Sequence, residues 1–476
     1  MIFLTNINGE EEKFEFERPQ RNAQDVKNGD AFFCFAKNRV DCETYAQIAA
    51  GNGANVVFSE FELNVPQSVR LADVRSAFAH ACAQFYDNPC KNMKMIGVTG
   101  TNGKTTTCHV IAQILKKCDK KVGVIGTNGV FFCGKELPCD LTTPDADFLH
   151  RTFKQMYDEG VEYVVMEVSA HAIVQKRVDG IRFDVGVLTN ITQDHLDYFG
   201  DMESYASAKA QFFTKNYVKK AIFGVDDDRV CKIMRETSVP FRTFGINNPA
   251  DTFAIDGLCD ICGSHFVANV CDEVFEVKTN LIGDYNIENS LAALAVCYEL
   301  GLSKEQLAQG LNFVCPAEGR FNVLKVGNKY VVIDFAHTPD GLEKVLKTAK
   351  NLTDKRVMVV FGCGGNRDKD KRAKMGKIAQ ENADVVCLTS DNPRFEDPNE
   401  IIRDIEHGIE NEHFVELDRK KAIEKMLNYA KSGDIVIVAG KGAEKTQEIA
   451  GVFFPYNDFD VVSQYCAEKL KGERSL

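Results

Sequence analysis

Residues 94–111 read KMIGVTGTNGKTTTCHVI, and this run decides the fold. Residues 95–98 are apolar and β-prone, and a helical period opens at Thr105 with Val110, Ile111, Ile114 and Leu115. Between them stand Gly100, Thr101, Asn102, Gly103 and Lys104, followed by Thr106 inside the helix start. A strand, a glycine loop and a helix N-terminus point backbone N–H groups at an anion. Lys104 adds a point charge, and the Thr105 hydroxyl suits Mg²⁺. The stretch departs from a standard Walker A, because Val98 occupies the place of its first glycine. It still reads as a loop for a nucleoside triphosphate.

Working outward, the 476 residues predict about three domains. Residues 1–92 form a small N-terminal α/β unit, with strands in DAFFCF and NVVFSE around the helix of CETYAQIAAGNGA. YDNPCKNMK reads as a linker. Residues 93–317 alternate β and α (KVGVIGT, YVVMEVS, VGVLTN, KKAIFGV), as a P-loop ATPase-like doubly wound sheet does, with an antiparallel insert over 250–280. Residues 318–476 repeat the alternation (YVVIDFA, RVMVVFG, VVCLTS, DIVIVAG) as a C-terminal Rossmann-like domain. FGCGGNRD lacks the third glycine of a dinucleotide fingerprint, since Arg367 stands there. The fold class is therefore α/β in three domains.

Composition narrows the function. A net charge of −12 argues against a broad nucleic-acid surface. Hydrophobic content of 44% with 26% charged residues describes a soluble protein, no run reaches membrane-spanning length, and the early acidic stretch GEEEKF is unlike a signal peptide. The 17 cysteines are scattered through apolar patterns, which favours reduced thiols and a cytoplasmic location. Cys259 and Cys262, with His265 and Cys271, are a weak zinc candidate inside a hairpin pattern.

Several residues could carry chemistry. Glu167 ends a buried strand, where a carboxylate can hold Mg²⁺ against a triphosphate; a helix-capping or surface glutamate is the bland alternative. Asp194, His195 and Asp197 follow another strand at the carboxyl edge, and a neutral His195 could bind a second cation. Lys209 lies in a helix, where most lysines are simply solvated. In SDNPRFEDP the proline stiffens a turn bearing Asn392 and Arg394; Arg394 offers a fork for a carboxylate, although a surface ion pair is the commoner use. Gly440, Gly442 and Glu444 follow in AGKGAE. An arginine and a glutamate facing one pocket would suit a zwitterion.

Taken in order, GVTGTNGKTTT, TTPD, MEVSAHAIVQKRV, DHLDYFGDMESYASAK, LIGDYNIEN, GRF, DFAHTPD, FGCGGNRDKDKR, SDNPR and AGKGAE resemble the Mur ligases. These ATP-dependent enzymes build the peptide stem of bacterial cell-wall precursors, and the likeness runs nearly end to end. It is strongest to the branch that adds the third residue to UDP-N-acetylmuramoyl-L-alanyl-D-glutamate. The resemblance implies a first domain holding the uridine diphosphate end, a second holding ATP and the reacting carboxylate, and a third holding the amino acid. It implies that Lys209 is carried as a carbamate sharing Mg²⁺ with Thr105, Glu167 and His195. Asn286 and Asn289 match adenine contacts, and Arg320, Asp334 and His337 match the ATP side of the hinge and last domain. Thr142, Thr143, Ser169 and Arg177 match contacts to the muramoyl dipeptide. Arg367, Asp391, Asn392, Pro393, Arg394, Gly440 and Glu444 match those to meso-2,6-diaminopimelate.

The implied reaction is acyl activation, with Lys104, Glu167, His195 and Lys209 at its centre and a monomer as the expected vehicle. Lysine lacks the far carboxylate of diaminopimelate, so its binding is expected to strand Arg394, at roughly 3–5 kcal/mol, or several hundred- to several thousand-fold. Competing readings are the same reaction with L-lysine, a paralogue with another substrate, a folylpolyglutamate synthetase-like ligase, and an ATP-gated precursor sensor. The chain departs from the family where Asn22, Ala23 and Gln24 replace Asp-Ser-Arg, where Cys42 follows Asp41, and at Ala443 and Gly224.

Overall fold

The computed structural model describes residues 1–7 and 10–474. A hairpin of Ile2–Ile7 and Glu10–Glu15, which the alternation of the sequence did not announce, precedes a four-stranded parallel sheet. That sheet runs through Pro19–Gln20, Ala31–Phe33, Val56–Ser59 and Ser68–Arg70. Phe3, Phe33, Phe58 and Phe78 close its core, with ring centroids 4.7–6.2 Å apart in the contacts among them. The stretch read as a linker is packed instead. Pro89–Asn92 forms one 3-10 turn, and Cys90 and Met93 enter the core of the next domain.

The central sheet has eleven strands. Its parallel heart runs Val122–Gly126, Tyr163–Glu167, Lys94–Thr99, Phe183–Leu188, Val218–Gly224, Phe241–Gly245. Lys94–Thr99 comes first in the chain yet lies between later strands, so the direction of winding reverses beside it. Ligands of open α/β sheets collect at such a reversal, and the glycine loop leaves this strand there. The helices Lys104–Lys117 and Asp284–Glu299 pack together on one face through Ile111, Ile114 and Leu291. The antiparallel strands Thr252–Asp260, Gly263–Val270 and Glu273–Thr279 are a continuation of this sheet rather than an insert. Thr252 and Phe253 pair in parallel with Phe244 and Gly245. Their alternating Phe266, Ala268 and Val270 side chains cover the same helices, which is why the sheet extends instead of looping out.

The last domain holds a six-stranded sheet ordered Asn322–Val326, Lys329–Asp334, Ile435–Ala439, Val357–Phe361, Val385–Leu388, Phe414–Val415. All of its pairings are parallel except the first. A second hairpin, Thr446–Ile449 with Val452–Pro455, folds back over the loop that follows Leu388.

Candidate active site

The carboxyl ends of both large sheets face one cavity of about 710 Å³ at the seam between the second and third domains. On the central side, the helix starting at Lys104 makes its first internal bond from Thr107 N–H to the Gly103 carbonyl. The amides of Lys104, Thr105 and Thr106 therefore precede the helical ladder and face the cavity mouth. Gly100 and Gly103 have φ of +146° and +87°, and a Cβ on Gly103 would lie 2.3 Å from Asn289 Oδ1. The loop is fixed from behind: Thr189 Oγ1 donates to the Asn102 carbonyl at 2.6 Å, and Asn102 N–H donates to Asn190 Oδ1 at 2.9 Å. Lys104 Nζ curls over the loop, donating to the carbonyls of Gly100 (3.1 Å) and Thr101 (2.8 Å).

Glu167 is buried, and its Oε1 accepts from Thr105 Oγ1 at 2.9 Å and from Thr127 N–H at 2.8 Å. Arg320 crosses from the last domain, donates to Thr105 Oγ1 at 2.9 Å and stacks on Phe335. Asp334 accepts from the N–H groups of Phe321 and Ala336, both at 2.7 Å, and burial raises its carboxyl above the usual range. Asn286 and Asn289 line the cavity from the neighbouring helix and bond to each other at 3.2 Å.

Asp194 gathers three basic side chains. His195 Nε2 lies 3.2 Å away, His337 Nε2 3.9 Å and Lys371 Nζ 4.0 Å, the last two from the third domain. Burial pushes the Asp194 carboxyl up, but His195, His337 and Lys371 overcome it and hold it at about 2. Burial lowers His195 to about 3 and His337 to about 4, so both imidazoles are neutral near pH 7. Neutral imidazole is the metal-binding form.

Lys209 lies outside the cavity lining. It is buried behind the loop, donates to the Gly100 carbonyl at 2.8 Å and sits 4.5 Å over the Tyr205 ring. Burial, reinforced by Lys104, pushes its amine well below the usual lysine range. Thr142 lines the cavity, whereas Thr143, Ser169 and Arg177 stand beside it. Thr143 Oγ1 donates to the Glu167 carbonyl at 2.9 Å, Ser169 caps a short helix, and Arg177 Nη1 donates to the Thr143 carbonyl at 2.8 Å. Arg177 also pairs with Asp145 at 3.0 Å, and Arg21 of the first domain meets the same carboxylate at 3.0 Å.

Across the cavity, Arg367, Asp391, Asn392, Arg394, Gly440 and Glu444 all line the wall. The charges of Arg394 and Glu444 are paired internally, which corrects the expectation that lysine would strand Arg394. Arg394 Nε donates to Glu448 Oε2 at 3.0 Å and Nη1 donates to the Gly365 carbonyl at 2.7 Å. Glu444 Oε2 accepts from Asn392 Nδ2 (2.9 Å) and from the fully buried Lys441 Nζ (2.6 Å). Pro393 shapes the turn: its carbonyl lies 2.0 Å from where a Cβ on Gly365 would be. Sequence reasoning missed Glu448, Lys441 and Lys371. Lys441 and Lys371 stood inside quoted motifs, while Glu448 lies in TQEI, an exposed-looking strand with no signal of its own.

A triphosphate loop and a loop shaped for an amino acid, facing each other across a domain seam, define an enzyme that spends a nucleotide to join two molecules. Residues 98–297 match the Mur ligase middle domain, and residues 319–442 the Mur ligase, glutamate ligase domain. A UDP-N-acetylmuramoyl-L-alanyl-D-glutamate--2,6-diaminopimelate ligase of Geobacillus kaustophilus is 41% identical over 451 residues, covering 92% of each chain. A solved structure of a ligase with the same name superposes with a TM-score of 0.70 at 33% identity, covering 95% of each chain. A MurF ligase from Thermotoga maritima, solved with ADP, shares the fold at 21% identity and a TM-score of 0.63, over 96% of this chain and 99% of its own. The chain belongs to the Mur ligase family of ATP-dependent ligases.

Among the described residues no helix is long and apolar enough to cross a membrane. Nor do three His, Cys, Asp or Glu converge as a self-sufficient metal site. A cation at this cavity would therefore share the oxygens of a bound triphosphate.

Proposed function

We propose that this protein joins meso-2,6-diaminopimelate to the D-glutamyl side-chain carboxylate of UDP-N-acetylmuramoyl-L-alanyl-D-glutamate at the expense of ATP. The observation that carries the reading is the single cavity shared by the Lys104 loop and the Asn392–Arg394 loop. The names of relatives such as the Geobacillus ligase support it.

The γ-phosphorus–oxygen bond of ATP breaks as a carboxylate oxygen bonds to that phosphorus, giving ADP and an acyl phosphate. The amine of diaminopimelate then adds to the acyl carbon, the carbon–oxygen bond to phosphate breaks, and the nitrogen sheds a proton to leave an amide. Phosphorylation is needed because oxide is not a viable leaving group, whereas phosphate is.

Lys104 and the free helix amides hold the triphosphate and offset charge developing on it. Asn286 and Asn289 receive the adenine, Arg320 and Asp334 brace Thr105 and the hinge, and Thr142, Thr143, Ser169 and Arg177 position the dipeptide beside Glu167. Thr105 Oγ1 and Glu167 Oε1, hard oxygen donors 2.9 Å apart, fit Mg²⁺, and neutral His195 can add a nitrogen. When bound, Mg²⁺ neutralises charge on the triphosphate and the transferred group. Lys209 fits a carbamate, since a neutral amine is the form that attacks CO₂, and its nitrogen keeps one N–H for the Gly100 carbonyl. A carbamate resonance on ¹³C-bicarbonate labelling, lost in Lys209→Met, is the readout for that assignment.

Diaminopimelate meets Arg394 through Nη2, which has no hydrogen-bond partner among the described residues. Lysine forfeits this charge-assisted bond without stranding the guanidinium, at about 1.5–3 kcal/mol, or roughly ten- to 150-fold. Phosphate release measured with the dipeptide precursor tests the whole reading. Release should require both the precursor and diaminopimelate, and lysine should support it at least tenfold less efficiently. Release that ignores the amino acid, or equal use of both, rejects it.

A further inference from the structure

Lys371 occupies the first turn of the helix Asp370–Asn382, is 5% exposed and lines the cavity. Among the described residues its ammonium makes no hydrogen bond, and its one ionic neighbour is Asp194 Oδ1, 4.0 Å away. Its three donors find no protein acceptor among them and open onto the cavity. This placement is not the by-product of a loose helix. The adjacent Arg372 is fully buried and tied to Glu396 at 3.0 Å, Asp404 at 2.8 Å and the Gly364 carbonyl at 3.2 Å. Gln193 bonds to Asp368 at 3.2 Å and Lys374 to Gln193 at 2.5 Å, so the helix start is pinned against the central-domain loop that carries Asp194. Lys371 is thus held, without a protein hydrogen-bond acceptor among the described residues, across the seam from the nucleotide loop.

The charges around it say what would satisfy it. Asp194, 4.0 Å away, is its one ion-pair neighbour among the described residues, while Lys104 and Arg367 line the same cavity. An ammonium without a protein acceptor, lining the same cavity as Lys104 and Arg367, suits a ligand bearing more than one negative charge.

We propose that Lys371 is a catalytic residue that donates to the phosphoryl group during its transfer and in the acyl phosphate it forms. The third domain thereby supplies the last cation of a site otherwise built by the second. The identity of the acyl phosphate rests on the ligase reading above; the anion site rests on the geometry alone.

Two measurements on the full chain separate these. In the first, calorimetry with Mg²⁺ compares ADP alone with ADP plus beryllium trifluoride, a phosphoryl mimic. In Lys371→Met the ADP affinity should stay within threefold of the parent, which also reports a folded site. The affinity gained from the fluoride should fall at least tenfold, and Lys371→Arg should restore most of it. In the second, phosphate release at saturating substrates should lose at least a hundredfold in kcat in Lys371→Met, with KM for ATP within about threefold. If Met destabilises the protein, Lys371→Gln replaces it in both measurements. An unchanged fluoride gain overturns the proposal, as does a loss confined to KM for the amino acid. A parent that binds the fluoride complex but ignores diaminopimelate rejects the ligase reading and leaves Lys371 judged by the fluoride arm.

Discussion

The two loops that face the cavity are built on opposite plans. The nucleotide loop, residues 100–106, is contiguous in the chain, and its anion donors are backbone amides at one helix start. The amino-acid loop, residues 391–394, contributes side chains that are bonded by distant segments: Arg394 by Glu448, and the Asn392 amide by Lys441 and Glu444. A backbone site is rigid, insensitive to side-chain identity and general for phosphates. A site of paired side chains is tunable, because altering a partner far away in sequence alters what the pocket rewards.

The largest effect expected from this contrast comes from the one side chain on which the backbone site depends. Lys104→Met should lower kcat for phosphate release by about 10²- to 10³-fold, measured with all substrates saturating. Retained activity would mean that the amides suffice alone. On the other side, Arg394→Ala should raise KM for diaminopimelate by roughly ten- to 150-fold, the worth of one charge-assisted bond, while KM for ATP holds. Glu448→Gln sharpens the point. With its resident carboxylate neutralised, Arg394 should discriminate more strongly against lysine, and a preference that fails to rise would show that Glu448 does not tune it.

Gly103→Ala should cost about 1–3 kcal/mol in a urea titration, because a φ of +87° strains any side chain and the new Cβ meets the Asn289 amide. A neutral outcome would show that the loop bends more readily than a backbone site should.

A control outside both loops should give the smallest effect. Buried His150 is held down to about 3 by burial. The unfolded chain protonates this imidazole near pH 6.5 and the folded chain only near 3. Folding is therefore opposed progressively as pH falls through that window and untouched above it. His150→Phe should flatten the drop in urea midpoint between pH 7 and 5, leaving both loops' substrate constants unchanged.

The same contrast explains what could be read from the sequence. The strand, glycines, lysine and helix of residues 94–111 interact with their neighbours in the chain, so spacing alone exposes them. Asp194 and His195 were legible as the end of a buried strand. Their meeting with His337 and Lys371 was not, because it spans a domain seam. The pairing of Arg394 with Glu448 was invisible for the same reason: nothing in TQEI marks a strand that folds back onto residue 394. The continuation of the central sheet through residues 252–279 hid because alternating hydrophobicity describes a half-covered strand without saying which sheet it joins.

One contact reaches beyond the chemistry. Asn102, at the tip of the nucleotide loop, donates to Asp340 of the third domain at 2.7 Å. A hinge cannot swing open without pulling on the loop that grips the nucleotide. Grip on the nucleotide and closure of the seam therefore share one bond, and weakening it at either end weakens both.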